Sequence, residues 1–292
     1  MEYLRGLLVN WELYLILALS LNLLVGYAGV VSLCHAALWG VGAYTAALLM
    51  LSPHFHLGLF GAMLGAMAVT MLLGGVVAIP SLRLKGDYFI IATVALQAIV
   101  YRALYNLDAV TRGPLGLTGI PPARIGGWSV APESPWFLAL TTVITGAVVL
   151  LFARLANSPF GRVLRALRDD EEAVAALGRS VAAFKVKAFL AGGAGAAVAG
   201  TLYAVRMGTL VPDQFVIGSS VLILTALIIG GVGNLAGPMV GAAVLVFVPE
   251  LLRLLPGGAA LAGEGRQVIF GLLLIVLLRV RPQGVAGVYR LG

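Results

Sequence analysis

Charge is what this chain of 292 residues has least of: Asp, Glu, Lys and Arg make up 11% of it, against roughly 25% in soluble domains. With 61% apolar residues and a mean hydropathy of +1.03, it is read as a membrane protein. Cysteine is nearly absent. Cys34 alone excludes an internal disulfide framework and any CxxC metal or redox site. Lysine is scarce as well, and its three copies follow Leu84, Phe184 and Val186. None completes the Gly-Lys-Ser/Thr of a P-loop, so if ATP powers this protein, another chain binds it and no cofactor is expected here. Ionisable residues are also missing from the expected spans. Arg102 and Glu250 fall near helix ends and no Asp or Glu falls near a predicted span centre, which argues against a proton-driven carrier. His54 and His56 lack a third ligand and read as an interfacial pair rather than a metal site. Cys34-His35 has no oriented acid, so an intramembrane enzyme lacks its nucleophile and base. The net charge of +7, spread over loops, fits anionic headgroups and not nucleic acid.

Glycine is abundant, at 38 residues, and small residues let membrane helices approach closely. Apolar runs predict helices at about 7–25, 36–52, 57–79, 88–106, 136–154, 183–205, 219–231, 236–252 and 267–280. The fold class expected is all-α, a polytopic bundle of about 8–10 transmembrane helices. The first run has no basic n-region or small-x-small cleavage site and reads as a retained span. Gly26 to Gly29 and Gly230 to Gly233 interrupt apolar stretches at opposite ends of the chain. Such breaks either mark an inverted repeat with a pathway at its interface or only tighten packing. As pathway residues the reading takes Asn22, Gly26, Gly29, Ser32, His35, Gly230 and Gly233, with His35 bonding backbone freed by the break. Lys and Arg number twelve on the side of 80–87, 154–187 and the tail from 279, and seven on the other. The positive-inside rule puts the first set in the cytoplasm. The N-terminus is then outside for nine full spans and inside if one break is a half-span. The external connection 107–135, rich in Gly and Pro, reads as a structured outer cap with Trp128 and Trp136 at the interface.

Ser158-Pro159 is an N-cap and first-position pair, after which Arg162, Arg165 and Arg168 flank Leu164 and Leu167. That pattern predicts a basic helix on the membrane surface. Asp169, Asp170, Glu171 and Glu172 then load the start of a second helix, Ala173 to Leu177 continue it, and Gly178 stops it. Such a knob fits either a partner groove or a solvated connector.

At this segment Glu172-Ala173-Val174, followed three residues later by Gly178, resembles the coupling loop of bacterial ABC importer permeases. Further stretches resemble the LivM-type permeases of branched-chain amino acid importers nearly end to end. They are Leu21 to Gly29, Ser32 to Ala37, Gly40 to Ala46, Leu82 to Phe89, Ser158 to Arg162, Gly230 to Gly233 with Gly237-Pro238, and Arg281-Pro282-Gln283-Gly284. Cys34 stands where the family has Gly, and Thr111-Arg112-Gly113-Pro114-Leu115-Gly116 departs from the family's Thr-Gly-Gly-Pro-Asn-Gly. The resemblance implies one permease domain over 1–292, with a cytoplasmic coupling loop at 157–182 and an external loop at 107–135. It implies a multi-pass subunit of the bacterial inner membrane. Its implied partners are a LivH-like second permease, two cytoplasmic ABC ATPases and an extracytoplasmic substrate-binding protein. ATPase docking then falls to Asp169, Asp170, Glu171, Glu172, Ala173 and Gly178. Urea or short amides are alternative cargoes, and a stand-alone carrier or channel is the alternative from another class.

Overall fold

The computed structural model describes residues 2–52, 57–81, 83–84, 86–125, 128–253 and the single positions 271, 279, 284 and 285. The His54 and His56 pair, most of the predicted helix at 267–280 and Arg281 to Gln283 lie outside the described residues. Apolar runs fold as helices where the sequence places them: α1 (Glu2–Asn22), continued by a π turn (Leu23–Tyr27), α2 (His35–Leu51), α3 (Leu59–Ser81) and α4 (Asp87–Asn106). A short α5 (Asp108–Thr111) opens the connection before α6 (Pro135–Asn157), and α7 (Pro159–Asp169) and α8 (Glu171–Ala176) form the next loop. α9 (Val181–Met207), α10 (Ile217–Gly230) and α11 (Ala236–Arg253) complete the bundle. Among the described residues five helices are long and apolar enough to cross a membrane. At 1.5 Å per residue, α2 and α10 reach only about 25 and 21 Å, less than the ~30 Å of hydrocarbon. The expected helices are therefore realised as full spans and partial ones.

α1 and α9 form the buried centre, while α3, α4 and α6 ring them and expose Leu72, Ile91, Ile99, Val143 and Leu150. An apolar outer face is what hydrocarbon demands of a multi-pass protein. α9 is packed through glycine. A Cβ at Gly200 would stand 2.6 Å from the Trp39 carbonyl, and one at Gly193 2.8 Å from the Thr70 carbonyl. The backbones of α2 and α3 thus lie directly on α9, and dispersion contacts hold helices that hydrophobicity alone does not drive together in lipid.

The connection at 107–134 is folded. Its β1 (Leu117–Thr118) pairs antiparallel with β4 (Thr209–Leu210), which follows α9, and its β2 (Ala123–Ile125) pairs with β3 (Trp128–Val130). Arg5 near the start of α1 donates to the Glu133 carbonyl at 3.2 Å, so the N-terminus sits at this cap end. The other end of α1 meets α7, and Val285 donates to the Ile229 carbonyl at 2.9 Å where α10 ends. The N-terminal end of α1 therefore lies opposite the 158–180 loop and Val285.

After α1 has crossed from the cap end, residues 28–34 turn back and α2 starts inside the bundle, where Ala37 N–H donates to Gln97 Oε1, at the middle of α4, at 2.8 Å. After α9 has crossed in the reverse direction the chain again turns back, and α10 starts beside α2, with Ala36 N–H donating to Ser220 Oγ at 2.8 Å. α2 then runs to the cap end and α10 away from it. The two long-short helix pairs are inverted with respect to each other.

Candidate coupling and translocation site

The 158–180 loop is built from caps. Ser158 Oγ accepts from Gly161 N–H at 3.4 Å and Pro159 occupies the first turn of α7. Asp170 is the N-cap of α8, accepting from the N–H groups of Glu172 and Ala173 at 2.9 and 3.0 Å. Gly178, at φ 73, takes the left-handed turn that lets Arg179 N–H close on the Val174 carbonyl at 3.3 Å. Glu171 turns inward onto buried Lys185 of α9 at 2.9 Å, and Val174 is the buried anchor. Asp169 pairs with Arg168 at 3.0 Å. Of the six acidic-segment residues singled out above, Asp170 and Glu171 hold the loop by capping α8 and pairing with Lys185, whereas Asp169, Glu172, Ala173 and Gly178 are exposed on the side of Leu177 or the neighbouring Arg168.

α7 is not the membrane-surface helix that its sequence pattern predicts. Leu164 and Leu167 are buried against the protein. Arg165 donates to the Ala156 carbonyl at 2.7 Å and stacks over the Tyr27 ring at 5.5 Å. Arg168 donates to the Gly26 carbonyl at 2.7 Å. Carbonyls at a helix end are orphaned acceptors with the negative end of the dipole, so guanidinium groups bind there rather than at headgroups.

The Gly26 carbonyl belongs to the first break, and that break packs on the second. Asn22 accepts from Gly233 N–H at 3.0 Å and donates to the Asn234 carbonyl at 2.6 Å. Any Cβ at Gly26 would collide with Asn22 and the Gly233 backbone, and one at Gly230 with the Gly237 and Gly241 backbone. The glycine clusters therefore permit close approach, as the packing reading expects. Gly29, at φ 70, turns the chain away toward a cavity of about 390 Å³ whose walls include Val30, Val31, Asp87, Arg168 and Lys185.

Ser32 and His35 lie elsewhere. Both are buried, Ser32 against Cys34 Sγ at 3.2 Å and His35 Nε2 against Ser20 Oγ at 2.9 Å. His35 thus pairs with a side chain and not with the freed backbone expected. Ser20 spends its hydrogen on the Leu17 carbonyl at 2.9 Å, so Nε2 carries the histidine proton. The seven pathway candidates do not line one lumen of this chain. Asn22, Gly26, Gly230 and Gly233 form the junction of the breaks, Gly29 borders the cavity, and Ser32 and His35 sit at the start of α2.

Two residues escaped the sequence reading. Gln97 is buried, and besides Ala37 it meets Ser220 at 3.2 Å and donates to the Phe215 carbonyl at 2.7 Å, joining α2, α4 and α10. Glu12 is 5% exposed and lies within the first span, which corrects the expectation that no carboxylate stands near a span centre. A lone Gln or Glu inside an apolar run was the available signal.

The profile described as "Branched-chain amino acid transport system / permease component" matches residues 3–278. The chain is 33% identical over 295 residues to the high-affinity branched-chain amino acid transport system permease protein LivM of Salmonella typhimurium, covering 93% of this chain and 67% of that one. It is 29% identical to the probable LivM of Methanocaldococcus jannaschii, covering 95% of this chain and 91% of that one. To LivH of Salmonella typhimurium it is 26% identical, covering 94% and 91%. No solved structure matches. With an inverted helix bundle, a capped loop seated on its first break and a match over nearly its whole length, the chain belongs to the branched-chain amino acid transport system permease family.

Proposed function

We propose that this chain is a membrane-spanning permease subunit of an ATP-driven importer in the bacterial inner membrane, carrying branched-chain amino acids handed over by an extracytoplasmic binding protein. It works beside a LivH-like second permease and two cytoplasmic ABC ATPases, which supply all ATP chemistry. The names of the relatives support the cargo. The observation that carries the mechanism is the seating of α8: capped at both ends, anchored by Glu171 to Lys185, and exposing Glu172, Ala173 and Leu177. A rigid, exposed knob transmits a push, while a loose connector absorbs it. When ATP closes the ATPase pair, α8 moves with its partner, and Arg168 carries that displacement to the Gly26 carbonyl and through Asn22 to Gly233. The two permeases rock between access states about the pathway between them.

The test is co-purification. A C-terminally tagged chain, gently solubilised, should bring down a second permease and two ATPases, identified by mass spectrometry, and Glu172→Arg should lose the ATPases while keeping the permease. Recovery of the chain alone, or an unchanged set in the variant, would contradict the docking assignment.

A further inference from the structure

Glu12 has a role that the coupling scheme does not use. It lies on the face of α1 that packs against α6 and is buried there, while Thr142 opposite it on α6 is exposed. Thr142 Oγ1 stands 2.6 Å from Glu12 Oε1 and 2.8 Å from the Leu138 carbonyl oxygen. Thr141 Oγ1 donates to the same Leu138 carbonyl at 3.0 Å. A threonine hydroxyl has one hydrogen, and an ionised carboxylate and a carbonyl only accept. If Glu12 is ionised, the single Thr142 hydrogen has two short contacts to serve, and one is left as two oxygens facing each other with nothing between them. If Glu12 carries a proton, it donates to Thr142, and Thr142 passes its own hydrogen to Leu138. Both contacts are then hydrogen bonds.

The surroundings give the same answer. Glu12 Oε2 is buried with no hydrogen-bond partner, since the Thr141 hydroxyl, which also faces the carboxyl, is spent on Leu138, and an unpartnered carbonyl oxygen costs far less than an unpartnered charge. Thr145 Oγ1, one turn further along α6, is likewise without a partner and supplies no donor. Among the described residues no Lys, Arg or His lies within ion-pair distance of Glu12.

We infer that Glu12 is a proton-binding site, held as a carboxylic acid that pins α1 to α6. The position gives the pin its use. α1 ends in the first break, and α6 leads through Ser158 into α7 and α8. Arg165 and Arg168 clamp that end of the pair onto Tyr27 and Gly26, and Glu12 clamps it 14 to 15 residues away, about 21 Å along the helix. Pinned twice, α1 and α6 move as one body, so a push on α8 displaces the break instead of sliding α6 past α1. The proton assignment itself does not rest on the transport reading.

The experiment is infrared spectroscopy of the purified assembly near neutral pH, taken as the difference between wild type and Glu12→Gln. A protonated carboxyl C=O band present only in the wild type, and constant between about pH 6 and pH 8, a range in which unburied carboxyls are already ionised, is the expected result. A difference showing only ionised-carboxylate bands would overturn the proposal and assign the missing counter-charge to a partner subunit. The variants give a second readout. The Gln amide donates to Thr142 as the acid does, so Glu12→Gln should keep transport while Glu12→Ala loses it. If Gln is as damaging as Ala, or fails to fold, a negative charge is what the site needs and the proposal fails.

Discussion

Replacing Arg168 by alanine should leave the ATPases bound and active while transport falls by about tenfold to a hundredfold. The guanidinium makes a charge-assisted hydrogen bond to the Gly26 carbonyl at 2.7 Å, and such bonds are worth about 1.5–3 kcal/mol, with each 1.4 kcal/mol equal to a factor of ten. What distinguishes this residue is its position between two machines. Behind it stands α8, whose exposed face is unaltered in the variant. Ahead of it stand the break, Asn22 and the Gly233 N–H. Loss of the link therefore separates ATP hydrolysis from cargo movement and does not abolish either partner contact. Uptake and ATP hydrolysis measured on the same preparation check this. A parallel fall in both would show that Arg168 serves only to fold the loop.

A second large effect is expected at Gly200. Leucine there should remove most of the folded protein from the membrane, because a Cβ alone would stand 2.6 Å from both the Ala43 nitrogen and the Trp39 carbonyl oxygen. These are backbone atoms of α2, and they cannot rotate aside. Overpacking costs roughly 1–3 kcal/mol where neighbours yield, and more where the neighbour is a helix backbone. α9 would have to move away from α2, and the strand pairing of Thr209–Leu210 with Leu117–Thr118 would go with it. Gly146→Leu is the control, since nothing lies within 4 Å of a Cβ there. Membrane-inserted protein recovered after mild detergent extraction should be near wild type for Gly146→Leu and strongly reduced for Gly200→Leu.

The helices were legible because an apolar run bounded by charge, Pro or Gly has one stable form in lipid. The caps Ser158, Pro159 and Gly178 were legible because capping chemistry is local. Depth in the bundle was not. Residues 28–34 include Ala28, Val30, Val31 and Leu33 and look as apolar as a span, yet they are an irregular return that starts α2 beside Gln97. Nor does an amphipathic pattern say what it faces: Arg165 and Arg168 read as headgroup ligands and instead serve the Ala156 and Gly26 carbonyls. The pairing of residues 117–118 with 209–210 is long-range and leaves no local mark. Asn22 reads as pathway lining in the sequence, but its contact with Gly233, 211 positions away, exists only in the folded chain. Glu12 was visible as a letter; the Thr142 opposite it was not.

The most direct measurement of the central claim is uptake of radiolabelled leucine into proteoliposomes containing the tagged chain with its co-purifying subunits and binding protein, against the tagged chain alone. Uptake that needs ATP inside the vesicle and every partner, and that vanishes for the chain alone, is the result predicted. Uptake by the isolated chain without ATP would contradict the account and make the protein a carrier in its own right.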